Sequence, residues 1–224
     1  MKRLAIFYHA RIEGGGIRPD YGRMMLQAQM DTFAGSGLYH ATNEMFIGLN
    51  GTGTDTVREY SPPGCKIIEH GANAESLLPT YLFAEEWLKS HPDWYVCFWH
   101  TKGITHPEDP LNIVWRRCCE KHVIENWPTC VSNLDSGFDS AGAHWLTAKE
   151  FGPQVIPAQG FWGGAFYWAT AKFLLSLPKL PASHPQCRED WFIPERWIGT
   201  GPEPRVRDHA HHWPGLDACA RSLS

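Results

Sequence analysis

Two apolar stretches of this sequence end on imidazole and cationic side chains that are followed by glycine. FWHTKG occupies positions 98–103, and HARIEGGG occupies positions 9–16. The polar residues of the two stretches are His9, Arg11, His100, Thr101 and Lys102. A lysine can neutralise phosphate charge, and glycine allows backbone N–H groups to approach an anion closely. We therefore predict that these residues bind an anionic ligand such as a nucleoside diphosphate, provided that the two stretches lie together.

The elements that must position these residues alternate along the first hundred positions. Short apolar runs predict buried strands, and apolar residues at helical spacing predict amphipathic helices. The predicted strands cover 4–10, 44–51, 65–71 and 93–100, and the predicted helices cover 21–37 and 74–90. Such alternation is typical of a parallel α/β sheet, which binds its ligand at the carboxyl ends of the strands. The two polar stretches both follow strands, so we expect them to meet at that edge.

The second half of the chain follows a less regular pattern. We predict a helix over 110–134 with a break at Trp127 and Pro128, a short strand within 137–145, and a strand or turn that leads into a helix over 160–178. The sequence from Pro181 onward is rich in proline, histidine and charge, which is typical of loops. We expect one domain over 1–224, with a nucleotide-binding half at 1–105, an acceptor and catalytic half at 106–200 and an irregular tail at 201–224.

Composition and charge exclude several classes of protein. The formal net charge is −4, which lacks the basic excess of most nucleic-acid binders. Seven cysteines without a C-x-x-C pair indicate neither a disulfide framework nor a zinc site, and they suit a reducing compartment. The first apolar run is too short for a signal peptide, and no run approaches the roughly 20 apolar residues of a transmembrane helix. We therefore expect a cytoplasmic protein without a transmembrane segment.

Four stretches, in a fixed order, resemble the motifs of a known family. They are FWHTKG (98–103), DSAGAHW (139–145), GGAFYWATAKFLLSLP (163–178) and REDWFIPERWIG (188–199). Together they resemble small glycosyltransferases and glycosyltransferase-like proteins of the GT-A type. Those proteins carry an aromatic-H-T/S-K-G strand end, a G-G/N-x-F-x-W-A turn and helix, and a final E-x-W-I segment. The resemblance implies a single GT-A-like, Rossmann-like α/β domain, in which a mostly parallel central sheet has helices on both faces.

The sequence departs from the family at the usual metal site. In the GT-A fold, a D-x-D motif at the end of the fourth strand normally holds a divalent metal against the sugar-nucleotide diphosphate. Here the sequence has His100, Thr101 and Lys102 at that place, and it contains no strict D-x-D motif. Either Lys102 replaces the metal as counter-charge, or Mn²⁺ or Mg²⁺ uses other ligands. His209 and His211 are candidates for those ligands, although histidines in a polar tail can also be merely exposed.

The resemblance also implies roles for residues of the second half. The turn at Gly163 and Gly164 would approach the sugar, with Trp162 and Trp168 as pocket walls, and Asp139 would lie near the acceptor. An inverting transfer needs a general base, and a carboxylate in a Trp-lined pocket can have the raised pKa that suits this role. Asp190 and Glu195 are the candidates, and Glu195 matches the E-x-W-I pattern. For each of these groups the alternative is a structural role: a tight turn for the glycines, a core position for the tryptophans, and a solvated salt bridge for the carboxylates.

These observations predict a glycosyltransferase that moves a sugar from a nucleoside-diphosphate sugar to a hydroxyl acceptor. The acceptor would be a glycan, whereas a hydroxymethylated DNA base is disfavoured by the acidic net charge. The alternative is a non-catalytic carbohydrate- or nucleotide-binding module on the same fold, which the missing D-x-D motif favours. No G-x-S-x-G or P-loop signature indicates a hydrolase or a nucleoside triphosphatase instead.

Overall fold

The computed structural model describes residues 2–13, 17–71, 76–147, 159–180 and 192–210. The expectations for Gly14–Gly16, Asp190 and His211 lie outside these ranges. The described strands are Leu4–Ala10 (β1), Glu44–Leu49 (β2), Lys66–Glu69 (β3), Tyr95–His100 (β4), Ser140–Gly142 (β5), Trp145–Thr147 (β6), Gly160–Trp162 (β7), Tyr167–Thr170 (β8) and Val206–Asp208 (β9). The described α-helices are Pro19–Gly35 (α1), Leu38–Ala41 (α2), Thr54–Tyr60 (α3), Leu78–Leu88 (α4), Pro110–Glu120 (α5), Trp127–Asp135 (α6), Ala171–Ser176 (α7) and Phe192–Trp197 (α8).

A seven-stranded sheet, in the order β3-β2-β1-β4-β8-β5-β9, organises the molecule. From β1 the chain adds β2 and then β3 on one side, and it returns to place β4 on the other side of β1. The direction of strand addition therefore reverses between β1 and β4. In open α/β sheets the ligand crevice lies at such a reversal, outside the carboxyl ends of the strands.

Among the described strands of this sheet, β8 is the one that runs antiparallel to its neighbours. It pairs with β4 on one side and with β5 on the other, antiparallel in both cases, whereas β5 and β9 are parallel. The prediction of a mostly parallel central sheet is confirmed. Within the segment expected to be an irregular tail, Val206–Asp208 pairs with Ser140–Gly142 and extends the sheet.

Proline and capping residues mark where several helices begin. Pro110 occupies the first turn of α5, where a missing N–H costs nothing, and Asp109 before it accepts a hydrogen bond from Leu111 N at 3.0 Å. The predicted long helix over 110–134 is interrupted: a π-helical turn, Lys121–Glu125, separates α5 from α6. Pro128 then lies in the first turn of α6, which explains why the break precedes it.

Two hydrophobic clusters cover the two faces of the sheet. One contains Tyr8 and Trp99 with residues of α1, the π-helical turn and α6, and the other contains Phe7 and Phe98 with residues of α4, α7 and α8. Alternate residues of β1 and β4 thus point to opposite faces, as strand geometry requires. The prediction of helices on both faces is confirmed, whereas the GT-A assignment stays a prediction. No helix in the described ranges combines the length and apolar character needed to cross a lipid bilayer.

Candidate functional site

The ends of β1 and β4 lie side by side and are joined beyond the sheet. His9 pairs with His100 in the parallel register. Thr101 then continues the connection, because its N–H donates to the His9 carbonyl at 3.1 Å and its Oγ1 accepts from Arg11 N at 3.2 Å. The two polar stretches that the sequence identifies are therefore brought together at the point where strand addition reverses.

A cavity of about 100 Å³ opens at this junction. Four of its lining residues belong to or directly follow β1 and β4, and Glu195 of α8 also lines it. Its lining consists of His9, Arg11, Leu77, His100, Thr101, Gly103, Ile104, Thr105 and Glu195. The cavity combines an apolar wall with a guanidinium group, two imidazoles, two hydroxyls and a carboxylate, a composition typical of a ligand site.

His100 is bonded to the glycine turn between β7 and β8. Its Nε2 donates to the Gly164 carbonyl oxygen at 2.7 Å. Burial, together with the charge of Lys102, lowers the pKa of His100 to about 3. His100 is therefore a neutral imidazole that anchors this turn. Gly164 has φ +94°, in the left-handed region that favours glycine, so the residue type suits the turn.

Lys102 and Glu195 form the charged part of the site. The Lys102 ammonium lies 3.6 Å from the centroid of the Trp115 ring, which is a close cation–π contact. Burial lowers the pKa of Lys102 and raises the pKa of Glu195, and the opposite charge of each residue partly counteracts the shift in the other. Glu195 thus has the perturbed carboxyl pKa expected of a general base.

The described cavity lining has one cation and one carboxylate. Arg11 and Glu195 line the cavity, and burial lowers the pKa values of the two lining imidazoles, His9 and His100. Lys102 is not part of the lining and contributes a positive charge that acts on Glu195. A role of these groups in binding an anion stays a prediction.

The two candidate tryptophans lie in the core instead of the cavity wall. Trp162 donates its indole N–H to Ser140 Oγ at 2.8 Å, and Trp168 donates to the Val123 carbonyl at 2.9 Å. Both side chains are fully buried. Because each indole has an internal hydrogen-bond partner, neither needs a ligand or solvent to satisfy it. The turn at Gly163 and Gly164, in contrast, does reach the site through His100 and Lys102.

Asp139 and His209 lie apart from the cavity. Asp139 directly precedes β5 and so lies at the amino ends of the parallel strands, whereas the cavity lies at their carboxyl ends. Its carboxylate accepts a hydrogen bond from Arg205 N at 2.9 Å. His209 follows β9, and its Nε2 lies 3.2 Å from the Asn133 amide nitrogen. The described polar contacts of both residues are to other parts of the fold, and the roles predicted for them stay predictions.

The described residues do not offer a metal site. No group of three or more His, Cys, Asp or Glu side chains in the described ranges is arranged to hold a metal ion. Asp208, the nearest carboxylate to His209 in sequence, accepts from the backbone N–H groups of His144 and Trp145, each at 3.0 Å. His100, in the place of the D-x-D motif, is bonded through Nε2 to Gly164. We therefore derive no chemical step through a metal.

Comparisons with known proteins give no family for this chain. No protein-family model matches it, and a search of the curated proteins returned no match.

Three solved structures are similar to the chain at low identity. A 4-diphosphocytidyl-2C-methyl-D-erythritol synthase from Anaerococcus prevotii is 12% identical, covering 97% of this chain and 88% of that chain, with a TM-score of 0.49. A CMP:2-keto-3-deoxy-manno-octonic acid synthetase complexed with CTP is 13% identical, covering 99% and 97%, with a TM-score of 0.47. A glucosyl-3-phosphoglycerate synthase from Mycobacterium tuberculosis, in complex with Mn²⁺, UDP and phosphoglyceric acid, is 15% identical, covering 80% and 60%, with a TM-score of 0.45. At these values, the similarities carry no argument about the function of this chain.

Sequence reasoning missed several residues of the site. Leu77, Ile104 and Thr105 line the cavity, and Trp115 of α5 lies beneath Lys102. Thr80 and His70 lie behind His9 and are bonded to it in a chain. These residues come from separate elements, and their types carry no signal of their own, so only the packing of α4 and α5 on the sheet could identify them.

Proposed function

We propose that this protein transfers a sugar from a nucleoside-diphosphate sugar to a hydroxyl acceptor. The observation that carries the proposal is the cavity between the ends of β1 and β4, which Arg11 and Glu195 line, together with the charge of Lys102 that acts on Glu195. This is the edge and the strand reversal at which open α/β sheets bind nucleotides. The motif resemblance of the second half supports the same class of reaction.

The cations have a direct role in the proposed reaction. As the bond between the anomeric carbon and the diphosphate oxygen breaks, the diphosphate leaves with the bonding electron pair and gains negative charge. Arg11 and Lys102 stabilise that charge from a partly desolvated site, where electrostatic interactions are stronger than in water. Lys102 is held ready for this role by its contact with Trp115.

Glu195 acts on the acceptor. Its carboxylate takes the proton of the acceptor hydroxyl, whose oxygen forms the new bond to the anomeric carbon. Burial raises the pKa of Glu195 and thereby improves it as a base. Asp190, outside the described residues, is the second candidate for this role. A glycan is the preferred acceptor, because a net charge of −4 disfavours a DNA base.

A binding module without chemistry is the second candidate function. The cavity of about 100 Å³ is smaller than the roughly 300–1,000 Å³ of most small-molecule sites. In addition, a lysine stands where the related family places metal-binding carboxylates. A module of this kind would bind a nucleotide or a sugar phosphate and show no turnover.

Ligand-induced stabilisation tests the binding step. Nucleoside diphosphates and nucleotide sugars, screened by thermal unfolding with and without Mn²⁺, should include one that raises the melting temperature by about 5–10 °C at a hundredfold excess over its Kd. Lys102→Ala should weaken its binding about 10- to 100-fold, because it removes a charge-assisted contact. Lys66→Ala, an exposed lysine on β3, is the matched control. If no nucleotide or nucleotide sugar stabilises the protein at millimolar concentration, the transferase and a nucleotide-binding module are both wrong.

Turnover separates the enzyme from the module. With the stabilising nucleotide sugar and a panel of glycan acceptors, Glu195→Gln should bind the donor and lose about 10²- to 10⁴-fold in rate. The exposed Glu203→Gln is the control. Donor binding by the unaltered protein without any transfer or donor hydrolysis would favour the module, and full activity of Glu195→Gln would refute the assignment of the base.

A further inference from the structure

Behind the cavity, a threonine hydroxyl lies between two histidines. His9, at the carboxyl end of β1, is 4% exposed, and its Nδ1 lies 2.7 Å from Thr80 Oγ1 on α4. The same oxygen lies 3.0 Å from Nε2 of His70, the residue that follows β3. His70 is only half-buried, so the chain of three side chains runs from the cavity lining towards the surface.

The absence of a side chain at Gly48 of β2 leaves the space that these three side chains occupy. A Cβ atom at that position would lie 2.0 Å from Thr80 Oγ1 and 2.7 Å from His70 Nε2. Both distances are far below any possible contact, so a residue with a side chain would push the hydroxyl and the imidazole apart. Thr80 itself is 1% exposed, and water does not compete for its hydroxyl. The three side chains therefore form a fixed arrangement.

The hydrogen-bonded side chains of His70, Thr80 and His9 can be polarised in two ways. A threonine hydroxyl has one proton, so Thr80 can donate to one histidine while it accepts from the other. If Thr80 donates to His9 Nδ1, the proton of the neutral His9 ring is on Nε2. If His9 Nδ1 donates to Thr80, His9 Nε2 carries a lone pair. Among the described residues, none is hydrogen-bonded to His9 Nε2, which leaves this nitrogen for a molecule in the cavity.

We propose that Thr80 and His70 are positioning residues of the cavity, which together set whether His9 Nε2 donates or accepts a hydrogen bond there. A protonated His70 has a proton on Nε2 and must donate to Thr80, so the Thr80 hydroxyl must donate to His9. His9 Nε2 then carries a proton and binds an oxygen acceptor such as a phosphate oxygen. When His70 is neutral, both polarities of the chain are accessible.

The charges around these three side chains agree with a neutral His9 and a titrating His70. Burial, followed by His100, His70 and Arg11, holds the pKa of His9 well below its usual range, so His9 remains neutral. Burial lowers the pKa of His70 as well, but His70 is near the surface and is the member of the chain that gains a proton on acidification. Glu195 lines the same cavity and is the other titrating group near the ligand.

Histidine ring ¹⁵N chemical shifts of the full chain test the proposal without any ligand. As the pH is lowered through the titration of His70, the His9 signals should move towards the tautomer protonated on Nε2. Thr80→Ser, which keeps the hydroxyl, should retain this response, and Thr80→Val, which has nearly the same shape without the hydroxyl, should lose it. His70→Gln, at a half-buried position, should also lose it and serves if Thr80→Val does not fold.

Two results would overturn the proposal: His9 signals that stay constant while His70 titrates, or an unchanged response in a folded Thr80→Val protein. A second measurement uses uridine diphosphate as probe, and only here does the inference rest on the proposed function. Relative to His70→Gln, the unaltered protein should gain about three- to tenfold in affinity as His70 becomes protonated. If the His9 tautomer responds to pH but no nucleotide binds, the proposed function fails and the positioning role of Thr80 and His70 stands. If the nucleotide binds with the same pH dependence in both proteins, that positioning role fails and the proposed function stands.

Discussion

A single backbone turn lies against both His100 and Lys102 beside the cavity. Gly164 accepts the hydrogen bond of His100, so that imidazole holds the turn and leaves Lys102 as the nearby ammonium. The aliphatic stem of Lys102 crosses Gly164 so closely that a Cβ there would lie 2.9 Å from Lys102 Cδ. The position of the ammonium over Trp115 therefore depends on a residue without a side chain.

Gly164→Ala should consequently impair both stability and binding. The left-handed φ of +94° costs an alanine about 1–2 kcal/mol, and its methyl group would displace Lys102. The free energy of unfolding, measured with denaturant, should fall by that amount, and affinity for the stabilising nucleotide should fall with it. Gly35→Ala is the matched control, since a Cβ there meets no atom within 4 Å. Equal stability of the two variants would show that the turn is not conformationally restricted as described.

At the scale of elements, helix α5 supports the cation of the site. It supplies Trp115, and it begins at a cap in which the two carboxylate oxygens of Asp109 accept from Leu111 N at 3.0 Å and from Asn112 Nδ2 at 2.6 Å. The side chain of Asn112 also packs against Gly103, in the loop that follows β4. The helix start and the cavity loop are thus joined by one small polar cluster.

Removal of this cap should destabilise the protein measurably. Asp109→Ala leaves the N–H groups of the first turn without their side-chain acceptor and should cost about 1 kcal/mol in the free energy of unfolding. Asp109→Asn keeps an acceptor oxygen and should cost less than half as much. Denaturant unfolding of the two variants provides the comparison. A loss of the same size in both would mean that the charge of Asp109, and not its cap, provides the stability.

The elements also show how far the sequence could be interpreted. The alternation of strands and helices in the first hundred residues predicts the parallel sheet, because apolar residues there recur at a regular spacing within short segments. The meeting of His9 with His100 follows from the rule for strand ends. For Trp168 the sequence left a pocket wall and the core as alternatives, because a buried indole can bond to a backbone carbonyl as well as to a ligand. The partnership of His9 with Thr80 spans 71 positions and depends on Gly48, so no local pattern could reveal it.

At the scale of the whole molecule, burial of imidazoles links stability to pH. The pKa values of four histidines are lowered by burial: His9, His70, His100 and His122. Below a pH near 6.5, the unfolded chain therefore binds protons that the folded chain does not. Stability from this source is complete above that pH and is lost as the pH falls. Glu195 has the opposite sign, because its raised pKa makes the folded state less stable as the pH rises above the usual carboxyl value.

His100 allows this linkage to be measured with one substitution. Its pKa is about 3 in the folded protein against 6.5 for an unperturbed imidazole, so within that interval it should contribute a slope of about 1.4 kcal/mol per pH unit. His100→Gln keeps a donor for the Gly164 carbonyl but has no titrating group. The free energy of unfolding, measured by denaturant between about pH 6.5 and pH 4.5, should decline less steeply in His100→Gln than in the unaltered protein by that slope. His40→Gln, at an exposed position on α2, is the control for the removal of a histidine. Parallel curves for His100→Gln and the unaltered protein would mean that His100 accepts a proton in the folded state, and that the turn at Gly164 does not depend on a neutral imidazole.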